Sequence, residues 1–222
     1  MAFPQIAGTS SSHIGAALSS HPISLPAGIT PGNLLLVFFS CSSTGSITIT
    51  VDTTASGNDW SQAVVTISSN HTANIFYKTD ATGSDALTLN LSSAQRSTSI
   101  SYEISNSSNV IRYTSLIGLS ANMNPPSLRS GMTTSDLLWI VFGSTDDAII
   151  ASAAPTYFSN LHTVIGESEG TSCSSATREI TMGDTPYNPD PFTTNYANWI
   201  TYTVIVYPKQ EFGFGFNIAY YI

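Results

Sequence analysis

The chain is predicted to be all-β: an antiparallel β-sandwich, or the jelly-roll form of one, with an internal two-fold pseudo-repeat. Three observations predict this. Apolar and polar residues alternate with period two, as in Ser46-Ile47-Thr48-Ile49-Thr50-Val51 and Ala86-Leu87-Thr88-Leu89-Asn90-Leu91, so each run sets one face on a core and one toward solvent. No window keeps helical spacing over three turns. The chain also nearly repeats itself: Leu34-Leu35-Leu36-Val37-Phe38-Phe39 returns as Leu137-Leu138-Trp139-Ile140-Val141-Phe142, 103 residues on, and Ile100-Ser101-Tyr102-Glu103-Ile104 returns as Ile200-Thr201-Tyr202-Thr203-Val204, 100 residues on. A unit of about a hundred residues exceeds any solenoid repeat and suits one sheet, or one hairpin set, of a two-sheet sandwich.

The elements follow in order. Pro31-Gly32-Asn33 makes a turn before the run Leu34–Phe39. That run and its counterpart Leu137–Phe142 are apolar on both faces, which predicts central strands covered on both sides. Ser56-Gly57-Asn58-Asp59 and Thr82-Gly83-Ser84-Asp85 are turns, the second a hairpin with Asp80 and Asp85 about Gly83. Alternation resumes over Thr98–Ile104. Asn122–Ser130, with Asn124-Pro125-Pro126, is the expected seam between pseudo-repeats of about 20–121 and 122–208. It holds no long linker, so 1–208 reads as one domain, the alternative being two domains of about a hundred residues each. Pro186-Tyr187-Asn188-Pro189-Asp190-Pro191 turns the chain into a last alternating run, Trp199–Val204. An arm, 209–222, closes the sequence. It carries Phe212, Phe214, Phe216, Ile218 and Tyr220 on one face against Gly213, Gly215, Asn217 and Ala219 on the other. An exposed row of that kind is a sticky edge, so it is expected to dock, on its own sandwich or on a partner.

Composition narrows the function. Only 9% of the 222 residues are charged and the net charge is −8, with six Lys and Arg in all. Phosphate neutralisation requires clustered cations, so nucleic acid is not an expected partner, and an anionic membrane is disfavoured for the same reason. The segment Met1–Leu36 lacks the basic start of a secretory signal. The chain is therefore expected to be made in a cytoplasm. Cys41 and Cys173 fall one in each half. They read as two small buried thiols, the alternative being a bridge between halves.

No catalytic or cofactor motif survives inspection. Gly166-Glu167-Ser168-Glu169-Gly170 fits the nucleophile-elbow pattern, but no helical segment and no histidine follow it, and it reads as a loop. His13, His21, His71 and His162 show no metal-ligand spacing. Asp146-Asp147 and Asp184 through Asp190 are acidic loops without EF-hand spacing. Trp139 and Trp199 lie in the strongest strand runs and read as core. Trp60 follows a polar loop and is the best candidate for an exposed ring, although a lid over the core fits it better.

Pro26-Ala27-Gly28-Ile29-Thr30-Pro31-Gly32-Asn33-Leu34-Leu35-Leu36-Val37, Ser56-Gly57-Asn58-Asp59-Trp60, Ile75-Phe76-Tyr77-Lys78, Asn124-Pro125-Pro126-Ser127-Leu128 and Ser135-Asp136-Leu137-Leu138-Trp139-Ile140 resemble a β-rich family of jelly-roll-type virion proteins of tailed bacteriophages. The resemblance covers roughly residues 20–208. Asn58-Asp59 before Trp60 and the aromatic arm depart from it. It implies a non-enzymatic virion structural protein without cofactor or metal, most simply a head decoration or cement protein on the outer surface of the head. The implied partner is the major capsid protein, with homo-oligomers, a trimer among them, as the expected state. Phe212, Phe214, Phe216, Ile218 and Tyr220 are the expected partner-binding residues. The alternative from another class is a receptor-binding module on a tail or fibre, recognising host glycan through polar loops with Trp60 and Tyr187.

Overall fold

A computed structural model describes residues 3–43, 47–52, 59–130, 136–166, 170–180 and 188–209. The described residues are all-β, in eleven strands: β1 (Gln5–Pro22), β2 (Leu34–Ser42), β3 (Ile49–Val51), β4 (Ser61–Ile67), β5 (His71–Lys78), β6 (Thr88–Ser105), β7 (Ser107–Met123), β8 (Leu137–Thr145), β9 (Ser159–Val164), β10 (Ser172–Ile180) and β11 (Phe192–Pro208). They form two antiparallel sheets packed face to face. The first runs β1-β6-β2-β5-β4, with β3 paired to β6 beside it, and the second runs β7-β11-β8-β10-β9.

The two orders are the same order. In each half the first strand is an edge, the last strand lies beside it, and the second strand is the middle of the sheet. The sequence repeat thus marks topologically equivalent strands: β2 and β8 in the centre, β6 and β11 beside them. The sheets pack with β4 near β7 and β1 near β9, as a two-fold relation requires. Among the described strands the chain crosses between sheets once, at Asn106, whose φ of 54° is left-handed and is tolerated by Asn better than by most residues. A jelly roll passes its chain repeatedly from sheet to sheet and is not confirmed by this connectivity. The seam expected at Asn122–Ser130 is instead the end of β7 and the segment that follows it.

At residue level the repeat needs one correction. Leu34, Leu36 and Phe38 face the space between the sheets, whereas Leu137, Trp139 and Val141, their partners at an offset of 103, face the opposite side of theirs. The inward residues of β8 are Leu138, Ile140 and Phe142. A slip of one residue inverts a strand's faces. Hydropathy did not fix the parity here because both faces of both strands are apolar.

Three cores result. The shared one lies between the sheets and takes residues from both halves. The second covers the outer face of the first sheet with Ile23, Trp60, Ala81 and Leu87 over Leu35, Val37 and Phe39. The third covers the outer face of the other with Ala151, Phe158 and Phe192 over Leu137, Trp139 and Val141. β2 and β8 are covered on both sides, as their composition predicts. At the centre Phe38 stacks on Phe142, 4.9 Å between centroids. Tyr202 meets Phe38 edge-on at 5.5 Å, and Tyr102 meets Phe142 at 6.0 Å. Each Tyr thus packs on the Phe of the other half.

Candidate functional site: the two open edges of the sandwich

With both outer faces covered, the sandwich presents its edges. One edge is formed by β7 and β4, joined where Thr66 Oγ1 donates to Ser115 Oγ at 2.9 Å. Eleven large hydrophobic residues are exposed among the described residues, and six of them belong here: Val65 and Ile67 of β4, and Tyr113, Leu116, Ile117 and Leu119 of β7. Ile117 and Leu119 are half exposed, at 50% and 54%. The strand has one cation, Arg112, whose Nη1 donates to the carbonyls of Arg129 and Ser130, both at 3.1 Å. The Trp199 ring lies over Gly118, where a Cβ would come within 2.2 Å of it.

The opposite edge is formed by β1 with β9 and β10. It holds a cleft of about 470 Å³ lined by Gln5, Ile6, Leu138, Ser159, Asn160, Thr177 and Glu179. Asn160, with φ 55°, donates from Nδ2 to Thr177 Oγ1 at 3.1 Å. This edge is mainly polar. Of the exposed large hydrophobics, its strands hold Leu18 and Leu161.

The four edge strands share one chemical property. The chain has 14 Asp and Glu, yet β1, β4, β7 and β9 contain no Asp, Glu or Lys, and Arg112 is their one Arg. Edge strands ordinarily carry such charges to block pairing with other chains.

The residues singled out from sequence take other places. Trp60 is 8% exposed and its Nε1 donates to Ala86 O at 2.7 Å, so it closes the outer core of the first sheet. Beside it Lys78 is held by Asp85 at 2.7 Å and by Asp59. Burial opposes the Lys78 charge, but hydrogen bonds to both carboxylates outweigh it and hold its pKa above the usual value. Asp85 closes the hairpin turn by accepting from Thr82 N at 2.7 Å and Gly83 N at 3.1 Å. Cys41 and Cys173 are free thiols in different cores, and burial pushes each up to about 12. Asp146 accepts from Asn70 Nδ2 at 2.7 Å and from Asn198 Nδ2 at 2.6 Å, so its carboxylate ties the turn between β4 and β5 to β11. His21 and His71 are buried at separate places. Among the described residues no three His, Cys, Asp or Glu side chains gather as a metal site. Ser168, Asp184, Tyr187 and the row Phe212, Phe214, Phe216, Ile218 and Tyr220 lie outside the described residues. The edges escaped the sequence reading because β1 and β7 lack strong alternation, and an edge is defined only once the strands are placed. Comparison with family models, with curated proteins and with solved structures finds no match for this chain.

Proposed function

We propose that this chain is a non-enzymatic structural protein of a tailed-phage virion, a head decoration or cement protein that binds and bridges capsid subunits. The observation that supports it best is the perimeter of the sandwich, whose edge strands carry a single charged residue, Arg112, and are partly apolar, while both sheets hold cores on their outer faces. Such a body is suited to packing edgewise against protein, and repetition over a symmetric shell multiplies a standard contact of about 1,600 Å². The sequence resemblance supports the same reading. Phe212, Phe214, Phe216, Ile218 and Tyr220 are the residues proposed to meet the major capsid protein. Immunogold labelling of purified virions tests the placement: gold spread over the head is expected. Deleting Glu211–Ile222 is then expected to abolish shell binding while the sandwich keeps its circular dichroism, and undiminished binding would remove the arm from the proposal. A receptor-binding role on the tail draws support from the polar cleft between β1 and β9, and gold confined to the tail would favour it over decoration. Its sequence-derived anchor, Trp60, is buried.

A further inference from the structure

We infer that the β7 edge is a self-association surface: a second copy of this chain pairs its own β7 antiparallel to it. A two-fold axis near Gly118 joins the two five-stranded sheets into one continuous sheet across the dimer.

Three observations converge on this edge. It is long: β7 has 17 residues, of which about eleven, roughly 36 Å at 3.3 Å per residue, can pair about an axis near Gly118, and as the last strand of its sheet β7 has one strand neighbour, β11, which is the edge geometry that accepts a further strand. It is apolar, with Leu116, Ile117 and Leu119 at its centre and Val65 and Ile67 of β4 beside them. It carries no acidic residue on either strand. The last point selects a copy of this chain as the occupant. A protein of net charge −8 repels its own copies wherever its carboxylates face each other, and neither strand of this edge carries one. A basic partner would be drawn to the acidic loops, not to this strip. Identical edges related by a two-fold are self-complementary and necessarily antiparallel, which is the stronger ladder. The equivalent edge, β1, is as long but exposes only Leu18 among its large hydrophobics. Arg112 is turned onto the carbonyls of Arg129 and Ser130 and leaves the centre of the edge uncharged.

This inference does not depend on the virion reading, and either can fail alone. Sedimentation of the full chain at tens of micromolar is expected to give twice the 23.5 kDa chain mass, with little response to added salt. In Ile117→Lys/Leu119→Lys the new ammonium groups face each other across the axis, and like charges directly opposite oppose pairing. The dimer is expected to weaken by roughly tenfold or more, although the substitution lowers the net negative charge and so cannot act through bulk repulsion. Leu161→Lys on β9 is expected to stay dimeric. Amide protection along β7 that rises with protein concentration reads the same contact in the unsubstituted chain, whether or not the Lys variant folds. A monomeric chain, a folded Lys variant that remains dimeric, dissociation by Leu161→Lys, or a dimer with no concentration-dependent protection on β7 would each overturn the assignment.

Discussion

His71 lies between the sheets with Nδ1 2.8 Å from Ser68 Oγ and Nε2 3.1 Å from Ser144 Oγ. Burial pushes its pKa down to about 4, against a smaller pull from Asp146. The sign of the consequence is fixed. Below pH 6.5 the unfolded chain takes up a proton that the folded chain refuses, so stability is full above 6.5 and falls as pH drops toward 4. The loss is roughly 1.4 kcal/mol per pH unit in that window. Urea midpoints at pH 7 and pH 4.5 should show His71→Gln destabilised at pH 7 and its deficit shrinking at pH 4.5, because the variant lacks this proton. A deficit independent of pH would remove His71 from the account. His21 and His162, which burial also lowers, supply the slope the variant retains. At the centre of the same core, Phe38→Ala should cost about 3–5 kcal/mol, since it takes from Phe142 its stacked ring and from Tyr202 its edge-on one. A cost near 1 kcal/mol, read from the same urea titrations, would mean the surrounding rings collapse into the space.

At the scale of elements, the two sheets hold their covering segments by equivalent devices. Ser101 donates to Ser24 O at 2.7 Å, and Glu103 accepts from Thr30 N at 2.8 Å and Asn33 Nδ2 at 2.6 Å. On β11, Thr201 donates to Asn124 O at 2.9 Å and Thr203 to Pro126 O at 2.6 Å. The same strand positions therefore pin the chain that links each first strand to its second. Glu103→Ala removes the charged acceptor of Thr30 N and Asn33 Nδ2, a loss of roughly 1.5–3 kcal/mol, and should release the Thr30 amide to fast hydrogen exchange while β6 amides stay protected. Persisting Thr30 protection would mean another acceptor takes over. The repeat and the central strands were legible from hydropathy because both are rows of apolar side chains. β10 was not, because Ser174, Ser175 and Thr177 are buried polar residues, satisfied in part by partners such as Ala151 N and Tyr102 Oη. Period-two hydropathy is blind to a serine that has been taken inside. The edges were invisible for the related reason that β1 is mostly Ser, Gly and Ala, which carries little signal on either face.

At the scale of the molecule, each half owns one core and shares another. Every buried residue of one outer core lies between Ile23 and Leu91, and every one of the other between Met123 and Tyr207. The inner core takes eight buried residues from the first half and nine from the second. Large side chains contribute roughly 1.5–3 kcal/mol each when buried, so uncovering the seven large ones of the first half, all but Ala73, removes an amount comparable to the ~5–15 kcal/mol that holds a domain folded. Residues 1–105 expressed alone should therefore lose cooperative unfolding while keeping strand content through the outer core, and residues 106–222 should behave alike. Mixing the two should restore a single urea transition and the near-ultraviolet circular dichroism of the Phe38, Phe142, Tyr102 and Tyr202 cluster, since that cluster exists only when each Tyr finds the Phe of the other half. A cooperative transition in either isolated half would contradict the shared core as the determinant of the fold and would make each sheet, with its own covering segments, a domain in its own right.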